Sequence, residues 1–205
     1  MRRLLLIPLL FLLGCPEGTP SDAEDPTPYV PGYDYGAPTS AKSDLKLKRW
    51  RQIHLDLQGA LALPPGSVCN ETGIYDCRTL HAVPLGGISI DNGLFRPIDQ
   101  PSATTGLALE RFVMQACAHR AALDAEAEEP LIFPLPPDGT TLQDDQGTTV
   151  VTNLYRRFLA RDPLPEEVDA LVDMHAGIVA DGGRNLEWAW MTCFAVATTT
   201  EALLY

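Results

Sequence analysis

The sequence predicts an all-α fold, a small irregular helical bundle with a long Gly/Pro-rich, disulfide-stapled excursion. Three observations carry that prediction. Four segments space their apolar residues at i, i+3, i+4 and i+7, the pattern of one buried helix face. No segment alternates polar and apolar residues convincingly enough for a sheet. The 18 Pro and 16 Gly gather mainly in three stretches between the patterned segments. With 45% hydrophobic and 20% charged residues over 205 positions, the composition is that of a globular chain, which excludes collagen, coiled coil and complete disorder. Twenty-seven Asp and Glu against 15 Lys and Arg give a net charge of -12, leaving no polybasic surface to hold nucleic acid by counterion release.

The chain opens with Arg2 and Arg3, an apolar run from Leu4 to Leu13, then Gly14 and Cys15. A charged start, a short apolar run and a small residue before a cysteine are the parts of an export signal. As a helix that run is about 15 Å long against a hydrocarbon core of about 30 Å, too short to span. Leu12, Leu13, Gly14 and Cys15 resemble the lipobox of bacterial lipoproteins. The resemblance implies that residues 1–14 are a signal peptide that is removed, and that Cys15 becomes an acylated N-terminus held in the bilayer of a bacterial cell envelope. The alternative is an ordinary cleaved signal followed by an incidental cysteine. Pro16 stands where an Asp would imply inner-membrane retention, so the outer membrane is favoured. Two or more acyl chains anchor a protein stably. Loss of Arg2 and Arg3 moves the net charge from -12 to -14, which predicts a protein standing off an anionic leaflet on its anchor.

Residues 15–42 form the lipidated N-terminus and a tether. Six prolines between Pro16 and Pro38, with Glu17, Asp22, Glu24 and Asp25, leave too little apolar surface to offset the entropy of folding. Tyr29, Tyr33 and Tyr35 make a short binding epitope the alternative reading of this stretch.

Residues 43–205 read as a single helical domain. Trp50, Ile53, His54 and Leu57 lie on one face of a helix of about fifteen residues ending near Gly59. Residues 60–104 are punctuated by Pro and Gly every few positions, so no long element fits there. Leu109, Phe112, Val113, Ala116 and Cys117 restart the helical spacing, with Arg111, Gln115 and His119 as the opposing polar stripe. After a link from Pro130 to Gly147, Val151, Leu154, Tyr155, Phe158 and Leu159 repeat it, and Asp162 and Pro163 stop that helix. Pro165 suits the first position of the next, with Glu166 and Glu167 facing the positive end of its dipole. Its stripe is Val168, Leu171, Val172, His175 and Val179. From about Asn185 the last helix is apolar nearly all round, which predicts a central position.

Besides Cys15 there are four cysteines, an even number in an exported chain. Three pairings are possible. Cys69 with Cys77 would close a small loop in the irregular excursion, leaving Cys117 with Cys193 to tie two helix faces together. That pairing is favoured over buried free thiols at Cys117 and Cys193.

The search for chemistry returns little. No phosphate loop, Gly-x-Ser-x-Gly elbow, His-Glu-x-x-His, EF-hand loop or haem-attachment motif is present. His54, His81, His119 and His175 stand singly. Cys117 and His119, two apart on a helix, point to different faces, so no metal site is predicted there. Asp124, Glu126, Glu128 and Glu129 read as a solvated helix end, and Asp144 and Asp145 lack the alternating ligands of a calcium loop. No catalytic residue, metal or cofactor is predicted.

RQIHLDLQG (51–59), LERFVMQACAHR (109–120), YRRFLARDPLPEEV (155–168) and WAWMTCFAVATTTEALL (188–204) resemble helical segments of uncharacterised secreted bacterial proteins that accompany c-type cytochrome domains. The resemblance implies one recurring helical unit and supplies no catalytic residues. The expectation is a membrane-anchored, non-catalytic lipoprotein whose partners are the bilayer, through Cys15, and another envelope protein. Its contact surface is placed around residues 79–101. The alternatives are an accessory subunit of a redox or hydrolytic assembly and a small enzyme of unrecognised type.

Overall fold

The computed structural model describes residues 46–71, 75–90, 93–97, 101–138 and 140–204. Cys15, the lipobox and the tether lie outside the described residues. Among those described are seven helices: α1 (Trp50–Ala60), α2 (Cys77–His81), α3 (Ala103–Glu126), α4 (Asp144–Leu159), α5 (Pro165–Ala180), α6 (Asn185–Ala197) and α7 (Thr200–Leu203). The fold is all-α, and its small β element is an antiparallel ribbon of β1 (Asn70–Glu71) and β2 (Tyr75–Asp76).

The all-round apolarity of α6 has the expected result. It packs against α3, α4, α5 and α7, burying Trp188, Ala189, Cys193 and Val196 among Phe112, Val113, Ala116 and Cys117 of α3 and Val150, Val151 and Leu154 of α4. The Trp188 indole N–H is satisfied inside this core by the Leu171 carbonyl at 2.7 Å. Helix α5 is the outer layer: none of its residues is fully buried, and Val179, expected on the buried stripe, is 48% exposed. At that end of the helix Ile178, not Val179, packs against the core.

Four helices start in the same way, with the third helical side chain accepting the otherwise orphaned N–H of the residue before the helix. Thr105 accepts from Ser102 at 2.9 Å, Gln146 from Gln143 at 3.1 Å, Glu167 from Leu164 at 2.7 Å and Glu187 from Arg184 at 3.0 Å. Pro165 is the first residue of α5, as expected. These caps begin α3 and α4 several residues before their apolar stripes do.

The first helix is shorter than its polar lead-in suggests. Residues 46–49 leave the helix because their backbone is engaged elsewhere: Leu47 bridges to Leu204, and the Lys48 N–H donates to the Leu203 carbonyl at 2.8 Å. The two ends of the described body are thereby stitched side by side.

Candidate functional site

The irregular excursion is rooted in the core before it emerges from it. Leu61, Leu63, Val68 and Leu85 are buried, and Cys69 and Cys77 are joined with their Cα atoms 5.5 Å apart. Two polar contacts fix the roots to helices: the Thr105 hydroxyl donates to the Pro84 carbonyl at 2.8 Å, and the Trp50 N–H to the Leu85 carbonyl at 2.8 Å. Gly87 is required at the turn-out, since its N–H donates to the Ala82 carbonyl at 2.7 Å and a Cβ would lie 2.6 Å from that oxygen.

Beyond Gly87 the chain forms a short hairpin. Ser89 and Leu94 exchange backbone hydrogen bonds at 3.0 and 2.8 Å, and Gly93 turns it with a φ of 69°. The hairpin leaves its apolar residues in solvent: Ile88 is 51% exposed, Ile90 69%, Leu94 44% and Phe95 70%. Exposed large apolar residues clustered in this way mark an interaction surface more often than chance scatter. At its foot, Ile88 lines a depression of about 510 Å³ together with Arg49 and Arg51. Lys48, by contrast, is neutralised by Asp56 at 2.8 Å. The hairpin falls inside the stretch that sequence reasoning placed at the contact surface.

The second staple lies in the centre. Cys117 and Cys193 are bonded with Cα atoms 5.8 Å apart, both sulfurs fully buried between α3 and α6. Cys117 is therefore committed and does not pair with His119 as a ligand. The structure keeps the four histidines in separate settings. His54 stacks on Phe112 beside Trp50, and His81 is buried. The His119 Nδ1 lies 2.7 Å from the Ser67 carbonyl and donates to it, and His119 borders a depression of about 560 Å³ with Gln115 and Asp76. The polar stripe of α3 is thus partly roofed by the excursion. His175 Nε2 meets the Asn185 side-chain oxygen at 2.8 Å, and the Asn185 amide donates to the Pro136 and Thr140 carbonyls at 3.2 and 3.0 Å. Because Asn185 must accept through its oxygen, His175 is the donor. Among the described residues no three His, Cys, Asp or Glu side chains gather where they could hold a metal ion.

A further expectation is overturned. Asp124, read as part of a solvated helix end, is 2% exposed. Its Oδ1 pairs with Arg120 at 2.7 Å and accepts the Leu131 N–H at 2.9 Å, while Oδ2 accepts from Ile132 and Phe133 at 3.0 and 2.9 Å. The segment after α3 folds back over the carboxylate, burying Ile132 and Phe133. Asp144 and Asp145, in turn, sit in the first turn of α4, where their charges face the helix dipole.

A second cluster was invisible in sequence. Arg161 holds Glu167 by two bonds of 2.8 Å and Glu201 by bonds of 3.0 to 3.1 Å, with its guanidinium 5.0 Å from the centre of the Tyr155 ring. These bonds join the ends of α4, α5 and α7. Arg161, and then the Leu164 N–H, hold the Glu167 carboxyl at about 2, and the two carboxylates hold the Arg161 guanidinium above its usual value. Burial, followed by the Glu167 charge, pushes the Tyr155 phenol up.

No protein family, curated protein or solved structure matches the chain. Among the described residues no helix is long and apolar enough to cross a membrane.

Proposed function

We propose that the chain is a lipid-anchored, non-catalytic helical lipoprotein of the bacterial envelope, acylated at Cys15, whose body binds or scaffolds another envelope protein. The observation that carries this reading is the pair of disulfides, Cys69–Cys77 and Cys117–Cys193. Paired structural cystines suit an oxidising compartment, and the lipobox-like Leu12 to Cys15 supplies an address to reach one. The non-catalytic reading is supported by where the ionisable groups are used. Asp124 and Arg120 fasten the segment after α3, Arg161, Glu167 and Glu201 fasten three helix ends, and His175 and Asn185 fasten the link before α4. The groups that most resemble catalytic side chains are engaged in holding the fold.

Mass spectrometry of the mature protein from its own membranes tests the reading. A chain beginning at an acylated Cys15 is expected, with no free thiol. An unmodified chain that retains residues ahead of Cys15 would sink it, and reproducible capture of a haem- or metal-bearing partner would move the role to that of an accessory subunit.

A further inference from the structure

We infer that Cys69–Cys77 is a redox switch, a disulfide that thiol exchange opens and closes while Cys117–Cys193 keeps the body folded. The two cystines stand in different surroundings. Cys117 and Cys193 are 0% exposed between α3 and α6, whereas Cys69 is 5% exposed and borders the open depression of about 560 Å³ with Gln115 and His119. Cys77, at the start of α2, is 0% exposed. Buried cysteines are inert, and the labile disulfides are those a thiol can reach. The approach is therefore from the Cys69 side, and it does not require the centre of the body to open.

What the bond holds is a small ribbon with firm roots. β1 and β2 pair only Asn70 with Asp76 and Glu71 with Tyr75, and so short a pairing is marginal in water without a covalent tie. The roots are secured independently of the sulfurs. Val68 is fully buried, the His119 imidazole donates to the Ser67 carbonyl at 2.7 Å, and α2 packs on α3. Breaking the bond thus frees the ribbon while its ends stay in place, so the two cysteines remain close enough to rejoin. The depression beside Gln115 and His119, bordered by Asn70 and Asp76 of the ribbon, opens with it. The sequence separation is 8 against 76, so this bond contributes less chain entropy than the central one and its loss leaves the body folded.

The reductant is a dithiol, as in a Cys-x-x-Cys protein. One of its thiolates attacks the Cys69 sulfur, the bond to Cys77 breaks, and Cys77 leaves as a thiolate that takes a proton from water. The reductant's second thiolate then attacks its own sulfur in the mixed disulfide, and Cys69 leaves and is protonated in turn. Two electrons pass to the cystine, and the reductant ends as its disulfide.

Thiol mapping on residues 15–205 tests this, with Cys15→Ser removing the one thiol outside the disulfides. Under native conditions dithiothreitol, followed by N-ethylmaleimide and peptide mass spectrometry, is expected to label Cys69 and Cys77 on the order of 100-fold faster than Cys117 and Cys193. Far-ultraviolet circular dichroism should be retained, and glutathione disulfide should restore the Cys69–Cys77 bond. Single variants test the side of attack: in the folded protein the thiol left by Cys77→Ala should react with glutathione disulfide faster than the thiol left by Cys69→Ala. The proposal is overturned if both pairs are labelled together, or if labelling of Cys69 rises with denaturant in step with global unfolding. Re-oxidation to other pairings, or a Cys77 thiol more reactive than that of Cys69, overturns it too. Because the variant lacks Cys15, the outcome does not depend on whether the native chain is acylated, and the lipoprotein reading stands or falls separately.

Discussion

Arg120 and Asp124 lie one turn apart on α3 and meet at 2.7 Å with both side chains out of solvent. The pair is the clasp on which the segment 131–133 closes, since the same carboxylate takes three of its backbone N–H groups. Removing one partner of a buried pair leaves the other charge unpaired and costs about 3–5 kcal/mol. Asp124→Ala should lose stability in that range by denaturant unfolding. Asp124→Asn, which keeps acceptor capacity at one atom, should lose less.

The two disulfides differ in span, with sequence separations of 8 and 76. In the chain-entropy model the longer loop is worth about 4.5 kcal/mol and the shorter about 2.5. Cys117→Ala/Cys193→Ala should therefore lower the unfolding midpoint more than Cys69→Ser/Cys77→Ser. Hydrogen exchange should show the second pair acting mainly on residues 66–81, and global loosening there would contradict the assignment of a local staple.

Glu167 gives the fold an acid limb. Its carboxyl is held at about 2 against an ordinary 4.5, so the stability it contributes is complete above the unfolded value and is lost as pH falls from about 4.5 towards 2. Glu167→Gln should flatten the acid-unfolding curve in that window. The pair is partly exposed, so high salt should shrink the difference between the two curves. A variant with the wild-type acid curve would count against the clamp.

Ala160 closes α4 in the left-handed region, with φ 54° and ψ 28°. A Cβ is costly there and glycine is at home. Ala160→Gly should stabilise the protein by about 1 kcal/mol, read as a rise in melting temperature, although glycine also adds freedom to the unfolded chain.

Asn185 must be an amide. Its N–H₂ group donates to the Pro136 and Thr140 carbonyls while its oxygen accepts from His175. Asn185→Asp places a carboxylate against two carbonyl oxygens, and a loss of about 1–3 kcal/mol is expected. Asn185→Asp unfolding at the wild-type midpoint would refute this.

What periodicity could reveal was legible: the stripe of α3 at Phe112, Val113 and Ala116, the central place of α6, the start of α5 at Pro165, and the cystine pairing that follows from burying Cys117 and Cys193 on facing helices. Periodicity reports apolar faces only. Asp124 was hidden because a buried carboxylate, bonded by backbone N–H groups, has the same sequence appearance as its solvated neighbours Glu126 and Glu128. The Arg161 clamp was hidden because Glu201 lies 40 residues away and nothing local points to it. Residues 46–49 were misassigned because their partner, Leu203, lies at the far end of the described body. The irregular excursion was legible from its Gly and Pro, but the hairpin within it and the company of Arg49 and Arg51 were not.

The bridge between Leu47 and Leu204 gives the body the topology of a nearly closed ring. Any chain that precedes residue 46 and any that follows residue 204 leave from the same spot. A domain built this way can be spliced into a surface loop of another protein, or reopened at a different loop after its ends are joined, with little disturbance to its core. A pull on the upstream segment would first load the Lys48 to Leu203 hydrogen bond, peeling α7 while the cystine between α3 and α6 keeps the centre shut.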